Sequence, residues 1–270
     1  PITGTMRYFW QRGNLYGSAS AGKRWERTLA AWFTSDGIDF VQGKNEPCAF
    51  YHKARGLHIL SYCDDLLVRG RRSQVEWFFK QLGARFKIKA PTYLNKRNML
   101  DHLGMVIFEN DDGIFLTMQS YIEVMLVKLG LDHVKIGRAR RVPMSGPITD
   151  MTPCTPDERK LFMKATGCVG WISGTGRPDL RVYHSRISQY MANPARGALD
   201  AILGVIKYCA SSKDLCLHQP WGTDPETFGW RFASDSDQSS NTELGNKMRS
   251  QLSYIATRGH APVLFGSNVL

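Results

Sequence analysis

The chain has 270 residues and a formal net charge of +11, from 35 Lys and Arg against 24 Asp and Glu. It is long enough to bury more than one small core. No apolar run approaches the roughly 20 residues of a membrane span, and Pro1 to Trp10 lack the basic start and apolar stretch of a secretory signal, so an intracellular protein is expected. The positive surplus favours polyanionic partners through phosphate neutralisation.

In chain order, the first element is a helix running through Trp25 and Trp32, with Lys23 and Arg24 on it as cationic contacts or plain surface residues. A hairpin follows over Leu57–Val68, two apolar arms meeting at Asp64-Asp65. From Arg69 to Arg97 the only acid is Glu76, which makes this stretch a candidate phosphate-tracking face or a solvated helix surface. Three helices carry the same start signal, a hydroxyl residue with Glu three positions later: Ser73 with Glu76, Ser120 with Glu123, and Thr155 with Glu158. Gly83 and Gly130 are expected to close the first two in the left-handed conformation. Between them a second hairpin runs from Leu103–Phe108 through Asp112-Gly113 into Ile114–Thr117. Arg138 to Thr155 reads as a linker, Leu180–Met191 and Arg196–Cys209 as further helices, and Pro220–Pro225 as another break. Alternation at Phe228, Trp230 and Phe232, then Gln251–Ala256 and Pro262–Phe265 flanking Arg258-Gly259, predicts a closing antiparallel sheet.

The six cysteines, Cys48, Cys63, Cys154, Cys168, Cys209 and Cys216, lack the paired spacing of zinc ribbons or redox motifs and read as reduced thiols. Cys209, Cys216 and His218 are conceivable metal ligands, but packing as small hydrophobes is the preferred reading. The residues that carry chemistry are Asp64 and Asp65. Two adjacent ionised carboxylates repel, and a hard divalent cation is their natural compensation; magnesium takes one or two such ligands together with substrate phosphates, the geometry of two-metal phosphoryl transfer. A solvated Asp-Asp turn is the plain alternative.

In context Tyr62-Cys63-Asp64-Asp65 resembles the Tyr-x-Asp-Asp hairpin of reverse transcriptases, specifically those of copia-type retrotransposons. Upstream, Leu15-Tyr16-Gly17 with Ala21 and Trp25 resembles the segment of that family that places template and nucleotide. Downstream, Leu82-Gly83 and Phe86 are similar to the following helix and strand, and His102-Leu103-Gly104 through Gln119-Ser120-Tyr121 to the primer-gripping hairpin and helix. Gly176-Arg177-Pro178-Asp179-Leu180, Pro194 and Ile206-Lys207-Tyr208 resemble landmarks of the connection region. Ala233-Ser234-Asp235-Ser236-Asp237, Ser253-Tyr254 and Ala261-Pro262-Val263 resemble the opening strands of an RNase H domain. The colinear order of these motifs, from about Leu15 to Ser267, carries the resemblance.

The resemblance implies an α/β chain of α+β type: a palm-type antiparallel sheet with helices and a primer-grip and thumb-like segment over 1–142, a connection region over 143–224, and the start of an RNase H-like sheet over 225–270. It implies an RNA-directed DNA polymerase using Mg2+ or Mn2+, with an RNA/DNA template–primer duplex, deoxynucleotides and other protein subunits as partners. By the same likeness Asp64 and Asp65 are catalytic metal ligands and Asp235 an RNase H metal ligand. Tyr16, Gly17, Lys23 and Tyr62 would contact nucleotide or template, Arg69, Arg71, Arg72, Lys87 and Lys89 the nucleic-acid backbone, and Leu103 and Gly104 the primer. Two departures stand against activity. No Asp or Glu precedes Leu15, where the family's third catalytic aspartate would lie, and the family's Lys-Gln pair and Pro fall on Ala19-Ser20 and Gly22. Asp235 is the one RNase H carboxylate that maps, Asp237 and Glu243 being poor substitutes by position. The expectation is a polymerase fragment inactive alone, with a non-catalytic nucleic-acid-binding or assembly subunit as the alternative and an unrelated metal-dependent hydrolase last.

Overall fold

The computed structural model describes residues 18, 20–132, 147–222, 230–241, 249–258 and 261–269. It divides into a first unit, Pro1–Pro91, and a second, Thr92–Leu270. Both mix helices with antiparallel sheets, as the α+β expectation requires.

In the first unit, helix α1 (Ala21–Phe33) precedes strands β1 (Val41–Gln42), β2 (Ala49–His52), β3 (Leu57–Tyr62) and β4 (Asp65–Arg69), and helix α2 (Arg72–Arg85) closes it. The strands form one sheet in chain order, each antiparallel to the next. On β3 the period-2 pattern is plain: Leu57 and Ile59 are buried while His58, Leu60 and Tyr62 are exposed. Leu29 and Phe33 of α1 and Val75, Phe78 and Leu82 of α2 are likewise buried in the unit's core. Phe33 lies at its centre, 4.7 Å from the Phe50 ring and 5.9 Å from that of Phe78. Burying such rings contributes about 1.5–3 kcal/mol each.

Helix α2 begins earlier than its sequence signal implies. Arg71 occupies the N-cap with no side-chain hydrogen bond, so Ser73 lies inside the helix. Glu76 instead accepts a 2.6 Å bond from Arg72 Nε, an i,i+4 pair. Gly83 does not adopt a positive φ, and the helix runs past it to Arg85.

The second unit opens with β5 (Leu100–His102), β6 (Met105–Glu109) and β7 (Gly113–Thr117), then α3 (Gln119–Lys128). The β6–β7 hairpin forms as expected, its turn held by the Asn110 side chain accepting from the Asp112 and Gly113 amides at 2.7 and 3.2 Å. Leu103 and Gly104, however, are not strand: they are the two-residue turn between β5 and β6, both at positive φ (54° and 78°), with His102 opposite Met105. Helix α3 starts after Met118, so Ser120 is no cap, and Glu123 bonds Gln119 Nε2 and Lys213 Nζ instead. Its far end does match: Gly130 has φ +66°, its N–H reaches the Val127 carbonyl and Leu131 N–H the Leu126 carbonyl, a Schellman closure.

Helix α4 (Pro156–Thr175) carries the expected capping box. Glu158 N donates to Thr155 Oγ1 at 3.4 Å and Thr155 N to Glu158 Oε2 at 2.7 Å. A 3-10 turn (Pro178–Leu180) leads into α5 (Arg181–Ser188), and α6 (Arg196–Ser211) follows. Phe162, Ala165, Val169 and Ile172 of α4 pack with Ile202, Val205 and Ile206 of α6 and with Ile122 and Met125 of α3 in the unit's core. Strand β8 (Cys216–Pro220), unforeseen in sequence, then pairs with β7 and completes the sheet. The last sheet, β9 (Trp230–Asn241), β10 (Arg249–Arg258) and β11 (Ala261–Val269), has β10 at its centre and Arg258 opposite Ala261, as the closing-sheet expectation implies. The first half of the expected linker at 138–155, the second half of the break at 220–225, and Phe228, Gly229 and Gly259 lie outside the described residues. No helix among the described residues is long and apolar enough to cross a membrane.

Candidate metal and nucleic-acid site

The β3–β4 hairpin turns on Cys63 and Asp64, with Tyr62 directly opposite Asp65. Cys63 alone takes a positive φ (53°) and Asp64 does not, the sign pattern of a type II′ turn, which suits the twist of paired strands. A β-carbon there is strained, and the turn is held from outside: Trp25 Nε1 of α1 donates to the Cys63 carbonyl at 2.8 Å. The indole is itself fixed edge-on against Phe86, 5.4 Å away. Sequence singled out Trp25 only by family likeness; its bond to Cys63 crosses 38 positions and leaves no local signal. Trp25→Phe keeps an aromatic ring, though a smaller one, and removes the N–H. It is expected to lower stability by about 0.5–1.5 kcal/mol and to speed amide exchange at Cys63–Asp65, measured by hydrogen exchange.

Asp64 and Asp65 are both exposed at this tip. Neither carboxylate has a hydrogen bond or ion pair among the described residues. Two hard oxygen donors with no cation paired to them among the described residues fit magnesium or manganese, which keep waters and substrate phosphates in their remaining positions. Among the described residues no group of three or more His, Cys, Asp or Glu gathers around them or elsewhere.

Cross-strand register shows what surrounds the tip. Residues directly opposite share a face. The exposed face of the sheet therefore carries Tyr62 and Asp65 in one row, Ala49, Leu60 and Leu67 in the next, and Val41, Tyr51, His58 and Arg69 in the third. Tyr62 is 53% exposed and Leu60 49%, and the Tyr51 and His58 rings lie 4.7 Å apart. The face is apolar and aromatic, edged by a cation and by the two aspartates; its rows were implicit in the alternation of β3 but not resolvable before the register was known.

The other sequence-predicted residues are placed as follows. Tyr16 and Gly17 lie outside the described residues, and Lys23 is exposed on α1. Arg69 shares the open face, whereas Arg71, Arg72, Lys87 and Lys89 are exposed around α2 and after it, with Arg72 paired to Glu76. The basic stretch is not one face: Lys96 and Arg97 belong to the second unit, where Lys96 pairs with Asp111. Leu103 and Gly104 form the β5–β6 turn, and a side chain at Gly104 would meet Tyr121 Cδ2 at 3.2 Å and Trp171 Nε1 at 3.7 Å, so this turn rests on α3 and α4. Asp235 is exposed on β9 opposite Ser253. The thiols are unremarkable as ligands: burial pushes Cys209 up to about 12, and Cys216 is likewise raised by burial first.

No protein-family profile matches the sequence, and no solved structure matches it. Among curated proteins, it is 21% identical over 260 residues to the retrovirus-related Pol polyprotein of transposon TNT 1-94 from Nicotiana tabacum, covering 90% of this chain and 18% of that protein. It is 24% identical over 266 residues to the corresponding polyprotein of transposon RE2 from Arabidopsis thaliana, covering 95% of this chain and 17% of that one. A Ty5-1 transposon protein of Saccharomyces cerevisiae is 24% identical over 217 residues, 78% of this chain and 67% of the yeast protein. The chain thus spans under a fifth of the length of the plant polyproteins it matches. Across most of its own length it is similar to the Pol polyproteins of copia-type retrotransposons, the relationship that its motif order implies.

Proposed function

We propose that this chain carries the palm hairpin of a retroelement RNA-directed DNA polymerase. The observation behind the reading is the Asp64–Asp65 pair at a hairpin tip, its carboxylates without a hydrogen bond or ion pair among the described residues, continuous with an exposed aromatic face of the same sheet. Asp64 and Asp65 would hold magnesium or manganese, which when bound supplies the positive charge that phosphoryl transfer between a primer hydroxyl and a deoxynucleotide draws on. The chain's own contribution is position. Trp25 fixes the turn, Tyr62 and Leu60 offer flat apolar surface to a template–primer duplex, and Arg69 offers a phosphate contact at the far end of the face. Two-metal chemistry calls for a further carboxylate, and the reading assigns it to a strand upstream of Leu15. Primer-grip and RNase H-like roles for Leu103, Gly104 and Asp235 belong to the same proposal.

A non-catalytic nucleic-acid-binding or assembly role is the second reading, favoured by Ala19-Ser20 in place of Lys-Gln. The polymerase reading and the nucleic-acid-binding form of the second place nucleic acid on the sheet, whereas an assembly role does not, so the first test addresses that. Cys63 is exposed at the tip, while Cys209 is fully buried. An RNA/DNA hybrid added with magnesium is expected to slow maleimide labelling of Cys63 by about tenfold, with Cys209 unlabelled throughout. The Leu60→Asp variant should lose this protection. Equal labelling with and without hybrid would remove the sheet face as the binding surface.

A further inference from the structure

The opposite end of the first unit carries a second concave site. From the Tyr62–Asp65 row to the His52–Leu57 row, β3 rises roughly 17 Å at about 3.4 Å per residue. There a cavity of about 800 Å³ opens between the loop after α1, the β2–β3 turn and the start of α2, lined among others by Asp39, His52, Arg55, Arg71 and Ser73. That volume lies within the ordinary range for small-molecule sites.

Its lining is built rather than incidental. His52 is only 7% exposed and lines the cavity, and its ring nitrogens have no side-chain hydrogen-bond partner among the described residues, so they are open to whatever enters the cavity. Its ring is packed edge-on against Phe40 and Trp77, which fixes its direction. Burial, and after it the charge of Arg55, hold His52 below its ordinary pKa, so it enters as a neutral ring with one donor and one acceptor. Arg55 is also held, its Nη1 donating to Gln74 Oε1 at 2.8 Å and its guanidinium 3.6 Å above the Trp77 ring. The Arg71 guanidinium has no partner among the described residues, and no side chain caps α2, a 14-residue helix whose first amides, those of Arg72 and Ser73, lie beside the Ser73 hydroxyl, the Gln74 and Val75 amides being taken by the Arg71 carbonyl. The start of α2 two residues ahead of its sequence signal places Ser73 inside the helix, lining the cavity instead of capping. Asp39, at φ +56°, brings the one carboxylate, partly engaged by the Gly37 amide at 3.2 Å.

Two arginines and a helix N-terminus ask for an anion; a neutral imidazole and a carboxylate beside them ask for a group that also carries hydroxyls. We propose that this pocket binds a phosphomonoester of mononucleotide size, the phosphate held by Arg71, Arg55 and the start of α2, and the sugar hydroxyls by His52 and Asp39. Such a group can come from a free nucleotide or from the 5′ end of a nucleic acid. The site is independent of Asp64 and Asp65, so its failure and that of the polymerase reading are separable.

The test is calorimetric titration of the whole chain with adenosine 5′-monophosphate, adenosine, and one oligodeoxynucleotide with and without a 5′-phosphate. Adenosine monophosphate should bind and adenosine should not, with Arg71→Glu and Ser73→Ala weakening binding, the former about tenfold or more. Both positions are exposed, and thermal unfolding of each variant confirms that the fold is kept. Asp64→Asn should leave the affinity unchanged. Preference for the phosphorylated oligonucleotide over its twin would also support the site and name a nucleic-acid end as the source. Equal binding of adenosine, equal binding of the two oligonucleotides with none of the monophosphate, or indifference to Arg71→Glu would overturn the proposal.

Discussion

Arg177→Ala is expected to lower the stability of the second unit by about 1.5–3 kcal/mol, the loss of charge-assisted hydrogen bonds from a buried guanidinium. The side chain is 2% exposed. Its Nε and Nη2 grip the two Asp179 oxygens at 2.9 and 2.7 Å, a fork that only a guanidinium supplies. Nη1 and Nη2 also donate to the Ser212 carbonyl and hydroxyl, each at 2.9 Å, which ties the end of α6 to the turn before α5. Tyr208 Oη donates to Asp179 at 3.1 Å and its ring lies 5.4 Å from the guanidinium. Burial works against the charge, yet Asp179 offsets it and the group is held above its ordinary pKa. Removing Arg177 leaves the buried Ser212 oxygens without this donor, while the exposed Asp179 carboxylate is left to water. Arg177→Lys should recover only part of the loss because one ammonium cannot fork. Urea unfolding followed by circular dichroism reads both; a loss under about 1 kcal/mol would mean that the network is not what holds α5 and α6 together. The same cluster gives a physical reason for two sequence landmarks at once. The Arg-Pro-Asp segment and Tyr208, 29 positions from Asp179, are one hydrogen-bonded pin.

Asp64→Asn is the other change with a large expected effect, on activity rather than stability. The carboxylate is exposed and forms no contact within the described residues, so its loss should leave folding almost untouched, within about 0.5 kcal/mol. As a metal ligand, however, it would stabilise transition-state charge by several kcal/mol, and nucleotide transfer should fall about 10² to 10³-fold. This split separates a site from a structural turn: a merely structural Asp64 would change both or neither.

The acidic hairpin was legible because its evidence is local. Strand alternation at Leu57–Tyr62 and a two-residue turn are set within twelve residues, and the structure keeps that register. Thr155 was legible as a cap because Pro156 fixes the first helical φ and Glu158 closes the box. Ser73 and Ser120 carry the same motif and do not cap. Their glutamates are taken by other partners, one of which, Lys213, is 90 positions from Glu123 and invisible to a local pattern. Leu103 read as strand because a leucine seldom takes positive φ; Gly104 beside it, packed on Tyr121, fixes the turn there. Strand β8 has no alternation to betray it and exists because β7 offers an edge, Thr117 pairing with Cys216 and Gly113 with Pro220. The cavity around His52 was hidden for a related reason, since its lining comes from three stretches far apart in sequence, the loop after α1, the end of β2 with its turn, and the start of α2.

Magnesium-dependent primer extension on an RNA template tests the polymerase reading most directly, comparing the 270-residue chain, a polypeptide extended upstream of Pro1 through the strand assigned to the third carboxylate, and that longer polypeptide with Asp64→Asn. Extension by the longer polypeptide, reduced about 10² to 10³-fold by the substitution, is the expected result. Extension that is indifferent to Asp64→Asn, or a longer polypeptide that binds the hybrid yet adds no nucleotide with magnesium or manganese, would contradict it.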